Sequence, residues 1–129
     1  MQTEENNPSI IAQDLFKIID IDFNTTTEAE RQVIAAFTFG VIHAHASIHK
    51  LSPEAGKEMT LDILQSVFKY SPEQSSDFFD YLVESTGAGD NDTIKAIIHH
   101  GINGHYQYII GLTEELKTNL LSMLAILKD

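Results

Sequence analysis

QVIAAFTFGVIHAHASIH, residues 32–49, holds no Asp, Glu, Lys or Arg across 18 positions. An uncharged run of that length has two destinations, a membrane or the middle of a protein. Gln32, Thr38, His43, His45, Ser47 and His49 make it too polar for a span, which takes roughly 20 predominantly apolar residues. It reads instead as the central helix of a water-soluble bundle, because a helix apolar on most sides needs neighbours all round it. Thr25, Thr26 and Thr27 ahead of Glu28 and Glu30 mark its start, a threonine cap with acids in the first turn, and its end is expected near Lys50.

Working outward, every other segment also reads as helix. Ile10, Ile11, Leu15, Ile18 and Ile19 have amphipathic spacing over residues 9–19. Leu51-Ser52-Pro53-Glu54 restarts the chain with serine as cap and proline in the first turn, opening a helix that carries Met59, Leu61, Ile63, Leu64, Val67 and Phe68. Tyr70-Ser71-Pro72-Glu73 repeats that signal and opens a fourth helix expected to bury Phe78, Phe79, Leu82 and Val83. The two starts share capping chemistry and then diverge, so they do not make a repeat. Thr86-Gly87-Ala88-Gly89 breaks the fourth helix. Asp92 is expected to cap a fifth, through Ile94, Ile97, Ile98, Ile109 and Ile110, and Thr113 a sixth that holds Leu116, Leu120, Leu121, Leu124 and Leu127. No alternating strand pattern competes. The expectation is an all-α, single-domain irregular bundle of about six helices over residues 1–129, with residues 1–8 a flexible N-terminus.

The formal charge of −11 is concentrated in two places. Residues 1–30 hold seven acids against Lys17, and residues 71–92 hold six with no Lys or Arg. Within the second stretch Glu73, Asp77, Asp80 and Glu84 follow i, i+4, i+7, i+11, which lines four carboxylates along one helix face. Such a ridge repels nucleic acid and anionic membranes and attracts basic proteins. With only eight Lys and Arg, direct nucleic-acid binding is disfavoured. The bland alternative is a solvated face that keeps the protein soluble. There are no cysteines, which excludes disulfides and thiolate chemistry and is compatible with a reducing cytoplasm. The polar, acidic start MQTEENNPSI lacks the features of a secretory signal, so a cytoplasmic location is expected.

Histidine is the residue type that raises the question of chemistry. His43, His45 and His49 fall on the second helix and His99, His100 and His105 on the fifth. His45 and His49 share a face, a chelating spacing if the fifth helix supplied a third ligand. Ala46 stands where the metalloprotease pattern requires glutamate, which excludes a catalytic zinc helix of that kind. The structural alternative places His45 on a stripe with Ile34, Val41 and Ile48, and His105 on one with Ile94, Ile98 and Gly101, both facing core or cleft and hydrogen-bonding there. No nucleophile constellation or phosphate loop accompanies them. The expectation is no enzyme, no metal and no cofactor.

Ile97-Ile98-His99-His100-Gly101-Ile102-Asn103-Gly104-His105-Tyr106 places two glycines inside a periodic helix, each costing about 1 kcal/mol relative to alanine. One explanation is close approach of another helix, with Gly40 the obvious counterpart, and the other is a break that re-aims the aromatics beyond. Phe37-Thr38-Phe39-Gly40, the Leu51-Ser52-Pro53-Glu54 start and the 97–104 segment together resemble the all-α immunity proteins of bacterial polymorphic toxin systems, the immunity protein 48 family. The likeness covers roughly residues 33–110. His100 and Asn103 depart from it, since the family pattern favours a basic residue and an aspartate there. The resemblance implies a non-enzymatic inhibitor that binds a cognate toxin protein, which the ridge would favour if basic. Glu73, Asp77, Asp80 and Glu84 are then candidate partner contacts, with Tyr81, Tyr106 and Tyr108 as aromatic anchors. An acidic regulatory or adaptor module and a histidine-based metal protein are the alternatives.

Overall fold

A computed structural model of the chain describes residues 8–86 and 92–128. Six helices in chain order, α1 Pro8–Ile18, α2 Glu28–His49, α3 Pro53–Ser66, α4 Pro72–Thr86, α5 Asp92–Ile109 and α6 Thr113–Ala125, form the all-α bundle, with no strand among the described residues. Of the flexible start expected over residues 1–8, residues 1–7 lie outside the described residues, and Pro8 is instead the buried first residue of α1; of the break expected over residues 86–89, Thr86 is the last residue of α4 and 87–89 lie outside the described residues.

Helix α2 is the centre, as its charge-free run 32–49 requires. Thr27 and Glu30 form a reciprocal capping box, with Thr27 Oγ1 accepting from Glu30 N at 3.1 Å and Glu30 Oε1 accepting from Thr27 N at 2.8 Å. From there Val33 to Thr38, Gly40 to Ile42 and Ala44 are buried, and α1, α3, α5 and α6 all pack on it. Buried Thr38 donates to Ile34 O at 2.8 Å, which satisfies its hydroxyl within the helix. The helix emerges into solvent at Ser47–His49, then stops at Lys50 in the left-handed region, φ 56°, with Leu51 N returning to Ala46 O. None of the described helices is long and apolar enough to cross a membrane.

The fifth helix lies against the second so closely that only glycine fits. A Cβ added at Gly40 would collide with Ile98 O and stand 2.9 Å from Gly101 Cα. One added at Gly101 would collide with Phe37 O and stand 3.1 Å from Gly40 Cα. At Gly104 it would meet the Phe37 ring at 2.5 Å. Close helix approach is therefore the reason for the glycines. Helix α5 continues unbroken through both of them to Ile109, so they do not act as a break. Two residues beyond its end the chain turns through Gly111 in the left-handed region, φ 83°.

Several local expectations are corrected. Ile10 is exposed and Ile18 half-buried, while Phe16 enters the core against Phe23 and Phe68 at centroid separations of 5.6 and 5.8 Å. Helix α4 buries Ser75, Leu82 and Ser85, with Phe78 and Phe79 half-buried. Val83 is 44% exposed, because it stands one residue, about 100° of helix turn, off that stripe. Asp92, expected as the cap of α5, is its first described residue, and its side chain lies outside what is described. Thr113 is likewise the first residue of α6, whose cap position is Leu112 with no side-chain bond. Leu121 and Leu127 are exposed, and the inward stripe of α6 is Leu116, Leu120, Met123 and Leu124.

Candidate partner-binding surface

Helix α4 starts as Ser52 and Pro53 start α3. Ser71 Oγ accepts from Gln74 N at 3.1 Å while Gln74 Oε1 accepts from Ser71 N at 3.0 Å, and Pro72 fills the first helical position. Leu82, Ser75 and Ser85 then fix which side faces inward, and the opposite side presents Glu73, Asp77, Asp80 and Glu84, all four exposed. At 1.5 Å per residue the row is roughly 16 Å long. None of the four makes an ion pair among the described residues. Four uncompensated carboxylates in a line form a directional negative field, strongest within a Debye length of the surface.

Beside the ridge α4 and the first turns of α2 enclose a groove of about 380 Å³, lined by Glu28, Gln32, Tyr70, Gln74, Asp77, Phe78 and Tyr81. Its aromatic wall is a ladder of rings: Phe68 to Tyr70 at 6.5 Å, Tyr70 to Phe78 at 5.9 Å and Phe78 to Tyr81 at 6.0 Å. The Tyr70 hydroxyl donates to Glu28 Oε2 at 3.2 Å and ties the wall to α2. Burial, then the charge of Glu28 and its hydrogen bond, push the Tyr70 phenol well above its ordinary range. It remains a donor at every physiological pH.

The three tyrosine anchors do not converge. Tyr81, 39% exposed, belongs to the ridge and groove. Tyr106, 50% exposed, packs its ring on His105 at 5.8 Å, and His105 faces His45 at 6.1 Å. Gln32 in the groove and His45 are 13 residues apart on α2, or roughly 20 Å. Tyr108 packs against the core and donates to Asp14 Oδ2 at 2.6 Å, joining α5 to α1. Burial and that bond raise its phenol to about 12.

The histidines do meet across α2 and α5. His45 and His49 lie 4.3 Å apart by ring centroid, and His105 is fully buried. No group of histidine and carboxylate side chains among the described residues is arranged to hold a metal ion. Neither ring nitrogen of His105 and not Nδ1 of His45 has a hydrogen-bond partner among the described residues. Burial first, then the neighbouring His45 and His49, pull His105 down to about 4, and burial followed by His49 lowers His45. His105 is thus a neutral core residue, as its stripe implied, but the hydrogen bonding expected of it there is not found: it is enclosed in the core without a partner for either nitrogen among the described residues. His45 is only half-buried, and Ile48 on its stripe is exposed.

Two features had little signal in the sequence. Glu28 and Gln32 precede α4 by 40 or more residues and Tyr70 sits in the connection just ahead of it, and only the aromatic density at 68, 70, 78 and 81 hinted at a shared wall. Asn119 bridges α6 to α5, donating to His100 O and to Gln107 Oε1, both at 3.0 Å, and meeting His100 Nδ1 at 2.8 Å.

A family model described as Immunity protein 48 matches residues 5–128, wider than the 33–110 segment on which the resemblance rested. No curated protein and no solved structure matches the chain.

Proposed function

The chain belongs to the immunity protein 48 family, and from that membership we propose that it is a non-enzymatic inhibitor that binds a cognate toxin protein in the cytoplasm of the cell making both. The observation that carries the docking surface is the exposed row of Glu73, Asp77, Asp80 and Glu84, without an ion pair among the described residues, next to Tyr81. Such a row steers a basic partner toward the molecule. An aromatic residue beside it supplies apolar contact once water is excluded. A stoichiometric inhibitor has no turnover, so protection rests on slow dissociation and an interface above about 1,000 Å². Tyr106 is a second contact at the far end of α2.

Co-expression with the product of the adjacent gene tests the proposal. That product should be toxic alone, tolerated with this chain and recovered with it as a stable complex. A harmless neighbour that does not co-purify would overturn the immunity reading in favour of an adaptor. A tight complex untouched by alanine at Tyr81 and Tyr106 would leave the function and remove these anchors.

A further inference from the structure

We propose that the groove between α4 and the first turns of α2 receives an arginine side chain of the partner. This inference rests on the immunity reading and specifies the chemistry recognised at the same surface. The groove is lined by two carboxylates, Glu28 and Asp77, by side-chain amides and by aromatic rings, with no lysine or arginine among its lining residues. Arg31 pairs with Glu28, but Asp77 has no ion pair among the described residues, so a positive charge for it would come from a partner. A volume of about 380 Å³ admits one extended arginine side chain.

Two features favour arginine over lysine. Tyr70, Phe78 and Tyr81 line the groove with aromatic rings, Phe78 and Tyr81 within 24° of parallel and Tyr70 tilted by 56°, and on the face of such a ring a planar guanidinium stacks while a compact ammonium keeps its water. Asp77 on the rim offers two oxygens to the forked N–H donors of that same plane. The molecule already holds one guanidinium in this way a turn along α2. Arg31 lies 5.4 Å over the Phe23 ring, donates to Thr26 O at 2.9 Å and meets Glu28 Oε1 at 3.4 Å. Glu28 is thereby partly neutralised and bonded to Tyr70 and Gln32. Asp77 is left as the principal acceptor. The second groove, between α2, α3 and α4, does not compete for a cation. It is lined by His43, Lys50 and Lys57 and by no carboxylate.

The test uses the full chain and a capped Gly-Arg-Gly-Arg-Gly-Arg peptide, against the same peptide with lysine, followed by NMR of the Gln32 and Gln74 side-chain amides. The arginine peptide should shift both amides and bind more tightly than its lysine counterpart. Its affinity should fall about fivefold or more in Tyr81→Ala and in Asp77→Asn, and less than about twofold in Glu84→Gln, which lies outside the groove. Equal binding of the two peptides, or equal losses from Glu84→Gln and Asp77→Asn, would show general attraction to the ridge and overturn the groove. The same variants are then assayed with the adjacent-gene product. A complex that Tyr81→Ala and Asp77→Asn leave unchanged overturns the groove alone, whereas absence of any complex with wild type overturns the immunity reading.

Discussion

Gly101→Ala puts the central packing claim at risk, because helix propensity and tertiary contact pull in opposite directions. In an exposed helix the change would stabilise by up to about 1 kcal/mol. Here the new Cβ would collide with Phe37 O and crowd Gly40 Cα at 3.1 Å, both backbone atoms that no rotamer change can move. Relief requires α2 and α5 to separate by roughly an ångström, a gap that forfeits a quarter to a half of each dispersion contact across it. Phe37, Val41, Ile97 and Ile98 are all buried in these two helices. Overpacking of this kind costs about 1–3 kcal/mol and occasionally more. With α2 at the centre of the bundle we place the net loss at about 2–4 kcal/mol, a large share of the ~5–15 kcal/mol typical of a domain. Gly56→Ala is the matched control, since a Cβ there meets nothing within 4 Å and the change should stabilise by about 0.5–1 kcal/mol. Urea unfolding followed by far-UV circular dichroism suits a chain without tryptophan and measures both. If Gly101→Ala matches or exceeds wild type, the helices are not in the contact described and the reasoning fails.

Acid should destabilise the protein through His105. Its side chain is fully buried and its pKa falls from 6.5 unfolded to about 4 folded, so its contribution is complete above pH 6.5 and is lost as pH falls toward 4. The contribution amounts to about 3 kcal/mol, and His105→Leu should flatten the stability profile over that window; parallel profiles for variant and wild type would refute it. Neutralising the ridge, with Glu73→Gln, Asp77→Asn, Asp80→Asn and Glu84→Gln together, should stabilise the free protein by about 1 kcal/mol while slowing toxin association and flattening its salt dependence. Unchanged association rates and salt slopes in stopped-flow mixing would exclude steering.

The fold was legible because its signals are local. Thr27, Ser52 and Ser71 cap the helices they precede, and a charge-free 18-residue run has nowhere to go but the middle. One tertiary contact was partly legible, since Gly101 and Gly104 in a periodic helix carry a cost that close approach or a break has to offset, and Gly40 was the available counterpart for the first. What failed was finer. Thr113 has the chemistry of a cap but lies one residue inside α6, because Gly111 in the left-handed region fixes where the chain turns between α5 and α6. Val83 and Leu121 are apolar yet exposed, since α4 and α6 each bury one stripe and periodicity does not say how wide it is. The candidate surface was half legible. The i, i+4, i+7, i+11 row needs only α4 to be a helix, whereas the groove needs Glu28 and Tyr70 brought to Asp77 by packing, and the separation of Tyr81 from Tyr106 follows from the length of α2.

The arrangement of the ridge argues against solubility as its whole purpose. Glu73–Asp77, Asp77–Asp80 and Asp80–Glu84 are like-charge neighbours at helical spacing, each destabilising α4 by about 0.2–0.5 kcal/mol. Glu84 also stands toward the C-terminal end of α4, where the helix dipole disfavours an anion, and the last turn holds no basic residue to offset it. The same four acids scattered over the surface would keep the protein soluble without these penalties. A single-sign row gains something only where direction matters, in orienting an incoming partner of opposite charge. Orientation over about 8 Å cannot by itself choose among basic proteins. Choice then falls to short-range contacts beside the row, aromatic stacking and the close pairing at Asp77, which salt screens far less than the long-range field. Ionic strength therefore separates the two roles: salt should lower the association rate through the ridge, while the dissociation rate, set by Tyr81 and the groove, should stay nearly constant.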